Sequence, residues 1–196
     1  AGTAEEILYI LGILLHPDNA SMPFPLIFTG PKCAENYFKQ INQFIVDTLG
    51  LEAQQRYKII IDDPARVALE MKEGIKQVRE YRVLHRDAFY YNWSLTIDEQ
   101  FQKPFDPTHK NMSELALYKN QEGHLLAANL RRAFSGVVAG NVKEEGIRAI
   151  EKHGHFELNG DREIMEPMDA LLSAFVEQQR MKLPGTEYVP CYKIIK

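Results

Sequence analysis

Three things are scarce in this 196-residue sequence: sulfur cross-links, long apolar runs and excess charge. Its two cysteines, Cys33 and Cys191, are too few for a disulfide scaffold or a zinc knuckle. They fit a reducing compartment, and the cytoplasm is the expected location. The longest apolar run is Ile7–Leu15, far short of the ~20 residues that cross a bilayer. No membrane association is expected. The formal net charge is only −4, which argues against nucleic-acid binding by bulk charge. A local basic pocket stays compatible with it. No internal repeat and no low-complexity tract is present, and there is one tryptophan, Trp93. Sequons at Asn19, Asn92 and Asn111 read as chance matches in a chain with free thiols.

What is present begins at the first residue. Gly2 and Thr3 open an apolar helix that runs through Ile7–Leu15. The first turn of a helix offers unpaired N–H groups and the positive end of the dipole, which together make a phosphate seat. Gly2 allows close approach to the backbone, and the Thr3 hydroxyl can donate to a phosphate oxygen or cap the helix. Glu6 stands one turn on, where a carboxylate can reach a sugar carried by that phosphate, with Glu5 the neighbouring alternative. The competing reading is a capping box, Thr3 with Glu6. The chain opens with Ala inside this turn, so further residues of the same fold are expected to precede Ala1.

The rest of the first half alternates. His16–Asn19 ends the first helix by turn chemistry, and Pro25–Thr29 reads as a buried strand. Ala34–Leu49 carries Tyr37, Phe38, Ile41, Phe44, Ile45 and Leu49 at helical spacing. Tyr57–Ile61 is a second strand, and Asp62-Asp63-Pro64 caps a third helix bearing Val67, Ala68, Met71 and Ile75 on one face. This is the order of a parallel α/β sheet, too short to stand alone and so expected to be half of one. Near Arg79–Asp87 the character turns charged, and a boundary is expected there. Beyond it, Phe89–Ile97 is β-prone and Gln102–Asn111 reads as a loop. Leu125–Val138, Val142–Lys152 and Arg162–Met181 are expected helices. His155–Leu158, with Asn159-Gly160-Asp161 as its turn, and Tyr188–Ile195 are expected strands. The fold class is α/β: the C-terminal half of a Rossmann-like domain over 1–83, then a smaller α+β domain over 84–196.

Gly2-Thr3-Ala4-Glu5-Glu6 resembles the end of the Pro-Gly-Gly-x-Gly-Thr-x-x-Glu motif of the Lonely Guy phosphoribohydrolases. Asn92-Trp93-Ser94, Leu130–Gly136, Val138–Glu144, Arg180–Gly185 and Pro190-Cys191-Tyr192 are similar to one branch, the bacterial pyrimidine/purine nucleotide 5′-monophosphate nucleosidases. The resemblance implies cleavage of a nucleoside monophosphate to free base and ribose 5-phosphate, with no cofactor. It puts the catalytic carboxylate on Glu6 and the phosphate contacts on Gly2 and Thr3. It also implies guanosine penta/tetraphosphate as effector and tetramers built of dimers. The motif's earlier glycines are absent, so the chain is expected to be inactive without a matching N-terminal segment.

For the effector, Arg131, Arg132, Lys143 and Arg148 are the basic candidates, because clustered guanidinium groups suit polyphosphates. The alternative is a solvated face paired with Glu144, Glu145 and Glu151. His153 and His155 lack a completing carboxylate or thiolate, so no metal site is read from them. Trp93, Tyr90 and Tyr91 can stack a base or pack a core. Cys33 has no neighbouring histidine and reads as structural. Two further functions stay open: a non-catalytic nucleotide sensor, separable by a base-release assay, and an assembly module, separable by sizing with and without ligand.

Overall fold

The computed structural model describes residues 2–86, 95–183 and 187–195. Helix α1 (Gly2–Leu14) leads into β1 (Ile27–Gly30), α2 (Glu35–Gln54), β2 (Lys58–Ile61) and α3 (Pro64–Leu84). Short helices α4 (Glu99–Gln102) and α5 (His109–Ser113) and a two-residue strand β3 (Ala116–Leu117) follow. Then come α6 (Gly123–Val142), α7 (Glu144–His153), β4 (Phe156–Gly160), α8 (Arg162–Glu177) and β5 (Tyr192–Ile194). β1 pairs with β2, and β4 lies between β3 and β5; every one of these pairings is parallel. The fold is mixed α/β, as the alternation predicts.

Packing follows the apolar stripes. α1 lies along α6, and α2 lies on α8. Leu11, Ile45, Leu130, Leu158 and Phe175 are all fully inaccessible and belong to one buried cluster. That cluster draws on residues from both sides of residue 83. α3 contrasts with it, since none of its residues is buried. It runs to Leu84, through most of the charged stretch, with the Asp63 side chain accepting from the Arg66 amide at its start. Lys58 ties it to the sheet through Glu70 at 2.5 Å.

Several boundaries differ from expectation. The second helix breaks at Gly50 (φ 80°), close to the expected end at Leu49, and then adds one turn to Gln54. The stretch read as loop, Gln102–Asn111, begins at the last residue of α4 and ends inside α5; each of these helices is started by a side-chain cap, Asp98 on the Gln100 amide and Thr108 on the Asn111 amide. Asn159 and Gly160 are not a turn but the end of β4, paired with β3. A Cβ on Gly160 would meet the Leu117 carbonyl oxygen at 2.8 Å, so close strand approach is what places glycine there. The aromatic residues Phe89–Trp93 lie outside the described residues.

Three polar clasps shape the ends. Arg56 donates to the Leu14 carbonyl at 2.6 Å, satisfying the C-terminus of α1. Buried Asn19 donates to the carbonyls of Ile13 and Thr96, both at 2.7 Å, and accepts from the Thr96 amide at 2.8 Å. Asp169 of α8 accepts from the hydroxyls of Tyr188 and Tyr192 at 2.8 and 2.7 Å, tying β5 to the helix. Burial, then the Asp169 carboxylate, pushes both phenols up, so they stay protonated donors. Beside them Cys191 is buried and its thiol is pushed up to about 12 by burial, which keeps it unreactive.

Candidate functional site

The N-terminus of α1 opens onto a cleft of about 460 Å³. Gly2, Glu5, Glu6 and Tyr9 form one wall, Phe101–Pro104 a second, and Arg131 of α6 a third. The wall from α1 follows from helical spacing: residues 2, 5, 6 and 9 share one face. The opposite face, Ala4, Ile7, Leu8 and Leu11, is buried. A Cβ on Gly2 would meet nothing within 4 Å, so there is open room at the first backbone amides. Thr3 is the second residue of α1. Its hydroxyl bonds to Tyr37 of α2.

Arg131 is held in place by two neighbours. Its Nε lies 3.9 Å from Glu5 Oε1, and its guanidinium carbon stands 4.9 Å over the Tyr9 ring. Glu5 is thus the paired acid, while Glu6 is exposed on the cleft with no ion-pair partner among the described residues. Arg132 turns the other way. It donates to the Gln100 carbonyl at 2.9 Å and lies 5.7 Å from the Phe105 ring, bracing the segment that forms the second wall. Burial, with Arg131 next to it, moves the Arg132 guanidinium below its ordinary value.

The four basic residues read from the sequence are therefore not one cluster. Arg131 lines the cleft at α1, while Arg132 is turned to Gln100 and Phe105. Lys143 lines a separate cleft of about 700 Å³ with His109, Lys110 and His153. Arg148 is exposed and pairs with Glu144 one turn earlier.

Sequence reasoning missed five contributors. Tyr9 and Phe101 meet edge to face at 5.5 Å and floor the cleft. Gly12 makes room for that ring, since a Cβ there would stand 2.1 Å from Phe101 Cζ. Tyr37 and Arg180 stack at 5.1 Å on the far side of α1, close enough to Glu6 for its charge to push the Tyr37 phenol up, after the larger effect of burial. The Arg180 position depends on a left-handed Gln179 (φ 56°), after which the Arg180 amide bonds back to the Phe175 carbonyl at 2.7 Å. Helical spacing placed Tyr37 on the core face of its helix, but no pattern joined it to Arg180.

A helix mouth with a carboxylate and a guanidinium on one cleft can receive an anionic group. Direct comparison gives the family. Residues 75–195 match the model of a family described as pyrimidine/purine nucleotide monophosphate nucleosidase, C-terminal, and the chain belongs to that family. Over 193 residues, 98% of its length, it is also 55% identical to the pyrimidine/purine nucleotide 5′-monophosphate nucleosidase of Escherichia coli strain K12. The same identity holds for the proteins of that name in E. coli O6:H1 and O157:H7. The chain spans 42% of the length of these curated relatives. No helix among the described residues is long and apolar enough to cross a membrane.

Proposed function

We propose that this chain supplies the carboxylate side of a nucleotide 5′-monophosphate nucleosidase site, a hydrolase that releases free base and ribose 5-phosphate. The observation that carries the reading is the cleft at the mouth of α1, where Gly2, unpaired Glu6 and Arg131 face one space. Gly2 and Thr3 hold the 5′-phosphate on the first-turn amides, with Arg131 as a cationic wall. Glu6 binds the ribose hydroxyls and stabilises the positive charge that develops at the anomeric carbon. The carbon–nitrogen bond breaks, its electron pair leaves with the base, water adds to the anomeric carbon, and one of its protons ends on the base. Phosphate anchor and carboxylate sit on one rigid helical turn, which fixes the distance between them.

The relatives are more than twice as long as this chain, and in this reading other parts of the full-length enzyme complete the cleft. The chain alone then releases no base. Guanosine penta/tetraphosphate regulation and dimer-based tetramers remain part of the proposal, and of the four basic candidates Arg131 is the one that opens on the cleft. The test is base release from a nucleoside monophosphate panel by full-length protein carrying Glu6→Ala. Turnover should vanish while nucleotide still binds by calorimetry. Near-normal turnover would remove Glu6 from the mechanism.

A further inference from the structure

At the other end of α1, three side chains that the sequence keeps far apart come together. His16 follows the last turn of α1, His124 opens α6, and Asp98 caps α4. One ligand atom from each lies within 4.8 Å of the others. The His16 and His124 rings are 4.8 Å apart, centroid to centroid. We propose that His16, Asp98 and His124 form a binding site for a divalent transition cation of the zinc class, separate from the Glu6 cleft.

Two further observations point to a ligand. The His124 side chain is only 7% exposed, yet its Nδ1 is fully buried with no hydrogen-bond partner. Leaving such a group unpaired costs about 1–3 kcal/mol. Both histidines also have a carboxylate beside Nδ1: Asp18 at 3.8 Å from His16 and Glu122 at 3.4 Å from His124. Drawn to hydrogen-bond distance, such carboxylates set the tautomer of metal-binding histidines, holding a proton on one nitrogen and freeing the other. A cation bound at Nε2 polarises the ring and draws the His124 Nδ1–H onto Glu122, which settles the orphaned atom. At His16 the Asp18 amide now points to Nδ1 at 3.2 Å; on binding, that contact yields to the Asp18 carboxylate.

The donor set fits. Two imidazoles and one carboxylate, with further positions open to water, suit zinc and its neighbours. Tetrahedral zinc with bonds of about 2.1 Å sets its ligand atoms roughly 3.4 Å apart. Rotation of the half-buried His16 and Asp98 side chains closes the difference. The backbone is already fixed: Asn19 clamps Thr96 on both its amide and its carbonyl, which delivers Asp98 next to His16. Bound here, the cation joins the end of α1, the start of α6 and the segment before α4.

The experiment uses full-length protein stripped with chelator and titrated with Co²⁺, read by visible absorption, and with Zn²⁺, read by calorimetry. One equivalent per chain should bind with a ligand-field band. His16→Asn and Asp98→Asn should each weaken binding by at least tenfold, and Glu122→Gln by about tenfold. Asn at 98 can still accept from the Gln100 amide, and circular dichroism checks that each variant keeps its fold. His153→Asn should bind as the parent does. No band and no heat from the parent, or unchanged affinity in His16→Asn, would overturn the site.

Discussion

The antiparallel pair α1 and α6 has two unlike ends. At one, Glu5 and Tyr9 meet Arg131; at the other, His16 meets His124. The first is an open mouth with a carboxylate left unpaired and a guanidinium held in reserve. The second is closed, with a buried ring nitrogen that lacks a partner. Between Glu6 and Leu14 the helix advances about 12 Å, all of it lined on one side by core. The same packed seam therefore supports two polar ends with opposite solvation. One suits an exchanging anionic ligand, the other a resident cation.

The strongest way to break this contrast is Glu6→Gln in the full-length enzyme. It removes charge but keeps shape, and base release should fall by about two to three orders of magnitude with nucleotide affinity retained. Steady-state assay beside calorimetry separates the two. Asn19→Ala should cost about 3 kcal/mol in denaturant unfolding, because it leaves Thr96 and Ile13 groups unpaired. It should also weaken cobalt binding while the Glu6 end keeps its nucleotide affinity. Gly12→Ala forces a methyl into the Phe101 ring and should cost about 2 kcal/mol by overpacking. Since Phe101 floors the cleft, nucleotide binding should weaken with it. Arg131→Met should raise the nucleotide dissociation constant about tenfold and leave cobalt binding alone. Smallest is Arg148→Ala, an exposed pair with Glu144, expected to change stability by less than about 0.5 kcal/mol and neither binding event.

Much of the scaffold is legible because periodicity and punctuation agree. The β-branched run at Ile59–Ile61 and the Asp63-Pro64 start are local signals, and the fold obeys them. Where the sequence misleads, a distant partner decides. Asn159-Gly160 has turn chemistry, yet β3 recruits both residues into a strand. α4 and α5 are too short for a periodic signal, and only their caps betray them. The candidate site divides the same way. Gly2, Thr3 and Glu6 share one helical turn and can be read together. Arg131 reads as basic, but its place over Tyr9 depends on α1 meeting α6 in one register. His16, Asp98 and His124 arrive from three separate segments, and no spacing rule links them.

The Asp169 clasp carries one more consequence. β5 is an edge strand held at its side by β4 and at its back by two phenols on one carboxylate. Trimming the chain back past Tyr188 would thus do more than shorten a tail. It would strip β4 of its neighbour, take away both phenols that donate to Asp169, and remove Cys191 from its contacts with Asn141 and the Val137 carbonyl. Resistance to carboxypeptidase digestion is accordingly a sensitive gauge of whether that half of the molecule has closed.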